Sequence, residues 1–137
     1  GASVGQYDDG RGEGDDLAAV VAQARAWAPH APLWLAGFSF GSYVAARMAE
    51  PLKADLLISV APPVGRFAFR AVAHPPCPWI VLQGEIDEVV DPALVFAHFE
   101  AMQPPVELLR FANTGHFFHT KLVEMRQRLA ATLANYA

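Results

Sequence analysis

The chain has 137 residues, 53% of them hydrophobic, which suits one globular domain over residues 1–137 with a sizeable core. A formal net charge of −4 without blocks of like charge argues against nucleic-acid or anionic-membrane binding and favours small-molecule partners. The single cysteine excludes an internal disulfide, and no bilayer-length apolar run or secretion signal is present, so we expect a cytoplasmic protein.

The first predicted element is an amphipathic helix. Residues 1–14 are rich in glycine and aspartate and predict a loop. From Asp15 onward, apolar residues recur at helical spacing, and Pro29 lies just beyond the last of them. The predicted apolar face consists of Leu17, Val20, Val21, Ala24 and Trp27.

The rest of the chain alternates between apolar runs and helical patterns. Short apolar runs predict buried strands at residues 33–36, 55–60, 79–83 and 106–111. One predicted helix stops at Pro51, another opens with Asp91 as N-cap before Pro92, and a last one ends the chain. Residues 61–78 show no clear helical period apart from a short helix around Phe69. This alternation predicts an α/β protein, a parallel sheet with helices on both faces, whose ligands bind beyond the carboxyl ends of the strands.

A motif for a nucleophile lies between the first strand and the next helix. The five residues from Gly37 to Gly41 read Gly-Phe-Ser-Phe-Gly. At a strand-to-helix junction this pattern is typical of a nucleophile elbow, a tight turn that presents the serine oxygen above the sheet and is expected to accept only glycine at its flanks. A second match around Ser3 has no strand before it and no apolar helix after it, so we interpret Ser3 as a loop residue and Ser39 as the nucleophile.

Two later loops supply partners for this serine. A serine nucleophile needs a base to take its proton and a carboxylate to orient that base. Asp87 follows the third predicted strand, and His116 follows the fourth. The order Ser39, Asp87, His116 is the one expected when the nucleophile sits on such an elbow.

Other acidic residues compete for the carboxylate role. Asp91 precedes Pro92 and is better explained as a helix N-cap, and Glu85 and Glu88 are explained as solvated side chains. Asp87 is therefore preferred as the acid, with capping of its own turn as the alternative.

Other histidines compete for the role of the base. His119 is an alternative to His116, although it is also placed to cap or pack at the start of the last helix, and the remaining alternative is no catalytic histidine. His30, His74 and His98 are interpreted as ordinary surface residues. His116 and His119 lack a third suitably spaced ligand, so no metal and no cofactor is predicted.

These motifs resemble those of the α/β-hydrolase superfamily and, within it, the small lidless predicted hydrolases related to dienelactone-hydrolase-like esterases. The resemblance looks collinear over the whole chain and is carried by residues 35–41, 83–90 and 115–119. It implies an α/β-hydrolase fold with Ser39 as nucleophile, Asp87 as acid and His116 as base. The residue after the nucleophile, Phe40, would donate its backbone N–H to the oxyanion hole.

One departure from the family concerns its N-terminal strands. Family members carry several strands before the point that corresponds to the start of this chain, so the chain resembles the C-terminal half of the fold. The missing part would contain the loop that donates a second oxyanion N–H. Without that part, one edge of the strand at residues 33–36 would have no paired strand, and such an edge can pair with another chain.

Two functions are therefore predicted. The first is a serine hydrolase that cleaves carboxylic esters or thioesters through an acyl-enzyme. The second is a truncated, catalytically weak module that self-associates as a homo-oligomer, or pairs with a missing half, through its exposed sheet edge. If the chain is a serine hydrolase, Arg66 and Arg70 either favour an anionic substrate or are solvated. Six aromatic residues either line a shallow apolar acyl pocket or pack in the core: Phe38, Phe40, Phe67, Phe69, Phe117 and Phe118.

Overall fold

The computed structural model describes residues 11–136, and the loop predicted around Ser3 lies outside them. Each strand and helix predicted in the described part is confirmed, with strand ends shifted by at most two residues. In chain order the elements are α1 (Arg11–Trp27), β1 (Trp34–Phe38), α2 (Phe40–Ala49), β2 (Leu56–Val60), a 3₁₀ turn (Phe69–Ala71), β3 (Trp79–Gly84), α3 (Pro92–Glu100), β4 (Glu107–Phe111) and α4 (Leu122–Leu133).

Helix α1 starts earlier than the sequence predicts. It begins at Arg11, so the predicted loop was wrong for residues 11–14. Glycines at positions 12 and 14 lower the intrinsic helix propensity of this segment, which is why it resembled a loop. Gly14 is buried, and a Cβ there would lie 3.1 Å from the sulfur of Met48 on α2. The close contact between the two helices therefore outweighs the local preference.

The described strands form one parallel sheet in the order β1-β2-β3-β4. The register pairs Ala36 with Ile58, Ile58 with Ile80, and Ile80 with Glu107. The two inner strands are almost wholly buried, as expected for a parallel sheet that is covered on both faces. Within residues 11–136, β1 pairs only with β2 and lies at an edge of the sheet.

A hydrophobic core lies on each face of this sheet. The larger core contains Val21 of α1, Tyr43 of α2 and Phe99 of α3, packed on strand residues that include Trp79. The indole Nε1 of Trp79 donates a hydrogen bond to Ser59 Oγ at 2.9 Å, so this buried polar pair is satisfied. The second core packs α4 against the opposite face, which confirms the predicted helices on both sides. None of the described helices is long and apolar enough to cross a bilayer.

Candidate active site

Ser39 lies in the turn between β1 and α2. Its backbone has φ 52° and ψ −121°, a conformation that is uncommon for a residue other than glycine and that costs free energy. The N–H of Ser39 donates to Val60 O at 2.8 Å, which ties the turn to the end of β2. Helix α2 begins at Phe40, so the serine lies at the positive end of the helix dipole.

The two glycines that flank this turn differ in their environments. A Cβ on Gly37 would lie 2.2 Å from Gly41 O and 2.6 Å from Ser42 N, so a side chain cannot fit there without moving the backbone. Apart from its chain neighbours and the backbone of its own helix, a Cβ on Gly41 would meet no described heavy atom within 4 Å. The expectation that both positions require glycine is thus confirmed for Gly37 and wrong for Gly41.

Asp87 is buried in the loop after β3, with hydrogen bonds to both carboxylate oxygens. Its Oδ1 accepts the N–H groups of Val89 and Val90, both at 2.7 Å. Its Oδ2 accepts from Gln83 Nε2 at 3.2 Å and lies 2.8 Å from His116 Nδ1. Burial opposes ionisation, but the hydrogen bonds from Val90, His116, Val89 and Gln83 outweigh it and hold the pKa of Asp87 below its usual value.

His116 is buried in the loop after β4 and bridges the other two residues. Its Nδ1 faces the carboxylate of Asp87, and its Nε2 lies 3.1 Å from Ser39 Oγ. An ionised carboxylate can only accept, so Nδ1 carries the hydrogen of the neutral imidazole. The lone pair of Nε2 therefore faces the serine hydroxyl, which is the arrangement that a general base requires.

Close backbone contacts hold the two loops together. A Cβ on Gly84 would lie 2.2 Å from Thr114 O, so the end of β3 touches the loop that carries the histidine. Ile86 N donates to the same carbonyl at 3.1 Å, and His116 N donates to Glu88 Oε2 at 3.4 Å. These contacts set the separation between the acid and the base.

The other charged candidates lie outside this arrangement. Asp91 Oδ1 accepts the N–H of the second residue after it at 3.0 Å, which confirms its role as the N-cap of α3. Glu85 and Glu88 are exposed, although Glu88 also accepts the contact described above. Arg66 and Arg70 are exposed on the segment between β2 and β3.

The other histidines are not part of the hydrogen-bonded chain either. His119 and His30 are exposed. His74 and His98 are half-buried, and each has an Nε2 that is buried without a hydrogen-bond partner in the described residues, so their interpretation as ordinary surface residues was wrong. Within residues 11–136, no group of three His, Cys, Asp or Glu side chains is placed to hold a metal ion.

Two of the six aromatic candidates lie at the site. The rings of Phe38 and Phe117 each lie 4.9 Å from the imidazole of His116, centroid to centroid, and 5.7 Å from each other. Both stay exposed, at 41% and 66% respectively. The other four pack in or against the core: Phe40, Phe67, Phe69 and Phe118.

Two polar residues at the site were not predicted from the sequence. Ser42 Oγ donates to Ser39 O at 2.6 Å and so fixes the elbow from the first turn of α2. Gln83 donates to Asp87, as described above. The sequence did contain an indication for Gln83. It is an amide that follows four apolar residues in a strand predicted to be buried, and a buried amide needs hydrogen-bond partners.

Solved structures similar to this chain share its fold. An α/β serine hydrolase without a lid from Xanthomonas campestris is 46% identical, with a TM-score of 0.90 over 99% of this chain and 62% of that one. An α/β serine hydrolase homologue from Coxiella burnetii is 41% identical, with a TM-score of 0.89 over 97% and 64% of the two chains. An esterase from Pyrococcus furiosus, 22% identical, shares the fold at a TM-score of 0.76 over 98% and 66%. No family model and no curated protein matches the chain.

These matches extend over only part of the Xanthomonas and Coxiella proteins. The chain spans 62% and 64% of the lengths of the Xanthomonas and Coxiella structures. Its four-stranded sheet therefore corresponds to part of the fold of those proteins.

Proposed function

The chain belongs to the α/β-hydrolase superfamily, and we propose that it provides the catalytic residues of a serine hydrolase that cleaves carboxylic esters or thioesters. The observation that carries this proposal is the continuous line of contacts from Ser39 Oγ through both nitrogens of His116 to Asp87 Oδ2, at 3.1 and 2.8 Å. This contact between three residues from separate loops supports the proposal, because acyl transfer needs a nucleophile next to a base that a carboxylate orients.

In the proposed reaction, Ser39 Oγ attacks the carbonyl carbon while His116 Nε2 takes the hydroxyl proton. The imidazolium gives this proton to the oxygen or sulfur of the leaving group as the bond to carbon breaks, which leaves an acyl-enzyme. Water then attacks the acyl carbon with His116 as base again, and Ser39 is regenerated. The ionised Asp87 stabilises the imidazolium in both steps.

The oxyanion formed in this reaction needs a donor beside the nucleophile. We assign this role to the N–H of Phe40, because Phe40 follows Ser39 and opens α2. The positive end of the helix dipole adds to the stabilisation of the negative charge. A single oxyanion donor contributes a factor of about 10² to 10³ to the rate.

The surroundings of the imidazole favour a substrate with an apolar group. The exposed rings of Phe38 and Phe117 form an apolar wall next to His116. An apolar acyl chain or leaving group that covers them would remove hydrophobic surface from water. Esters and thioesters with apolar substituents are therefore the proposed substrate class.

A fluorophosphonate probe tests the proposal, because Ser39 Oγ would attack phosphorus, fluoride would leave and His116 would take the proton. We expect one adduct per chain in the intact mass, located by peptide mapping at Ser39. Ser3→Ala, which removes the serine of the second motif match, is expected to label like the unmodified chain. A folded sample without an adduct, or an adduct at another residue, would contradict the proposal.

A second candidate function, self-association, is favoured by the edge of the sheet at β1. Within the described residues this edge has no paired strand, and Trp34 and Phe38 on β1 are 39% and 41% exposed. Unpaired edges with apolar side chains are sites of pairing between chains. A twofold axis would place two copies of β1 antiparallel and bring the apolar side chains of the two copies together.

Sedimentation velocity over a range of concentrations tests this association. We expect a dimer for the unmodified chain and a monomer for Trp34→Lys, because a charge on an edge strand opposes pairing. Trp27→Lys is the matched control, since Trp27 is 79% exposed on α1 and is not part of the β1 strand. An unmodified chain that is monomeric throughout, or equal effects of the two variants, would rule out pairing through β1.

A further inference from the structure

Gln83 is a fully buried amide in an otherwise apolar strand. It is the next-to-last residue of β3, with 0% exposure, and the four residues before it are apolar and buried. Burying an amide is unfavourable unless its polar atoms are hydrogen-bonded. The contacts of Gln83 therefore indicate what this side chain does.

The amide of Gln83 has only one favourable orientation. Its Nε2 donates to Asp87 Oδ2 at 3.2 Å and to Gly84 O at 3.0 Å. Its Oε1 is buried without a hydrogen-bond partner in the described residues. Turning the amide by 180° would place Oε1 against a carboxylate and a carbonyl, which are both acceptors. The side chain thus keeps two donated bonds and leaves its own acceptor unpaired, which costs stability.

The contact with Asp87 completes a set of four donors, two to each carboxylate oxygen. Val89 and Val90 hold Oδ1, while His116 and Gln83 share Oδ2. Without Gln83, the only described donor left on Oδ2 is the imidazole itself. The Asp87 carboxylate would then be free to rotate relative to the His116 imidazole, which it has to orient.

We propose that Gln83 is a positioning residue that fixes the plane of the Asp87 carboxylate and, through it, the orientation of the His116 imidazole. This inference rests on the proposed hydrolase function. Gln83 reaches neither Ser39 nor the reacting atoms, so it acts through Asp87 alone. The stability lost at its unpaired Oε1 is consistent with a residue retained for the site and not for packing.

Gln83→Met tests the inference, because methionine has a similar length and volume but no donor. We expect phosphonate labelling at Ser39 to slow by about tenfold to a hundredfold, since a misplacement of roughly 1 Å at a site costs about a hundredfold in rate. The melting temperature should stay unchanged, because the variant also removes the unpaired Oε1.

A proton NMR signal separates this inference from the proposed function. The hydrogen between His116 Nδ1 and Asp87 Oδ2 should give a downfield resonance that is absent in Asp87→Asn. We expect Gln83→Met to shift or broaden it. An unchanged resonance, or an unchanged labelling rate, would overturn the positioning role. If the unmodified chain does not label but the resonance still responds to Gln83→Met, the proposed hydrolase function fails and the positioning of Asp87 stands.

Discussion

Asp87→Asn is expected to lower kcat/KM for hydrolysis of an apolar p-nitrophenyl ester by about 10⁴-fold. The carboxamide oxygen of the variant side chain would occupy the place of Oδ1, where it keeps the two short hydrogen bonds that Val89 and Val90 donate at 2.7 Å. The amide nitrogen would then face His116 Nδ1, which has to become an acceptor. The hydrogen moves to Nε2, so the imidazole can no longer take the proton of Ser39.

Asp91→Asn is the matched control for this prediction. Asp91 carries the same charge four residues later and caps α3 through Oδ1 at 3.0 Å from Ala93 N. Asparagine caps helices about as well as aspartate, so this variant should keep both its stability and its rate. Equal losses in the two variants, or an Asp87→Asn protein that retains most of its activity, would remove Asp87 from the proposed mechanism.

Gly37→Ala is expected to destabilise the fold by about 3 kcal/mol and to lower the labelling rate of Ser39 about a hundredfold. The added Cβ would lie 2.2 Å from Gly41 O and 2.6 Å from Ser42 N, and these backbone atoms cannot rotate away as a flexible side chain can. Relief requires opening the turn between β1 and α2, which displaces Ser39. Thermal unfolding should show a melting temperature lower by roughly 10 °C.

Gly41→Ala, in the same motif, provides the comparison. A Cβ at Gly41 meets no described heavy atom within 4 Å outside its chain neighbours and its own helix backbone, and the residue lies in the first turn of α2. Alanine favours the helix over glycine by up to about 1 kcal/mol, so this variant should be neutral or slightly stabilised. A loss of stability as large as that of Gly37→Ala would show that the turn constrains both glycines alike.

The order of elements and the candidate triad could be predicted from the sequence because both depend on local patterns. Apolar runs bounded by turn residues predicted the four strands, and the Gly-Phe-Ser-Phe-Gly motif at a strand-to-helix junction placed Ser39 in a turn. In a parallel sheet the carboxyl ends of all strands lie at the same edge, so Asp87 and His116, on later loops at that edge, were expected near Ser39. The structure brings these three side chains into hydrogen-bonding contact.

Other features of the structure follow only from contacts that form once the chain has folded. The early start of α1 depends on the fit of Gly14 against Met48, which outweighs the low helix propensity of glycine. The difference between Gly37 and Gly41 depends on which backbone atoms approach each position across the folded turn.

The sequence by itself therefore determined the element order, the nucleophile motif and the candidates for acid and base, because periodicity and turn chemistry act within a few residues. The tertiary structure decided which candidates meet, which two phenylalanines stay exposed beside His116, and that Gln83 holds the carboxylate of Asp87. These outcomes depend on burial and on distances between separate strands and loops, which exist only once the sheet has formed.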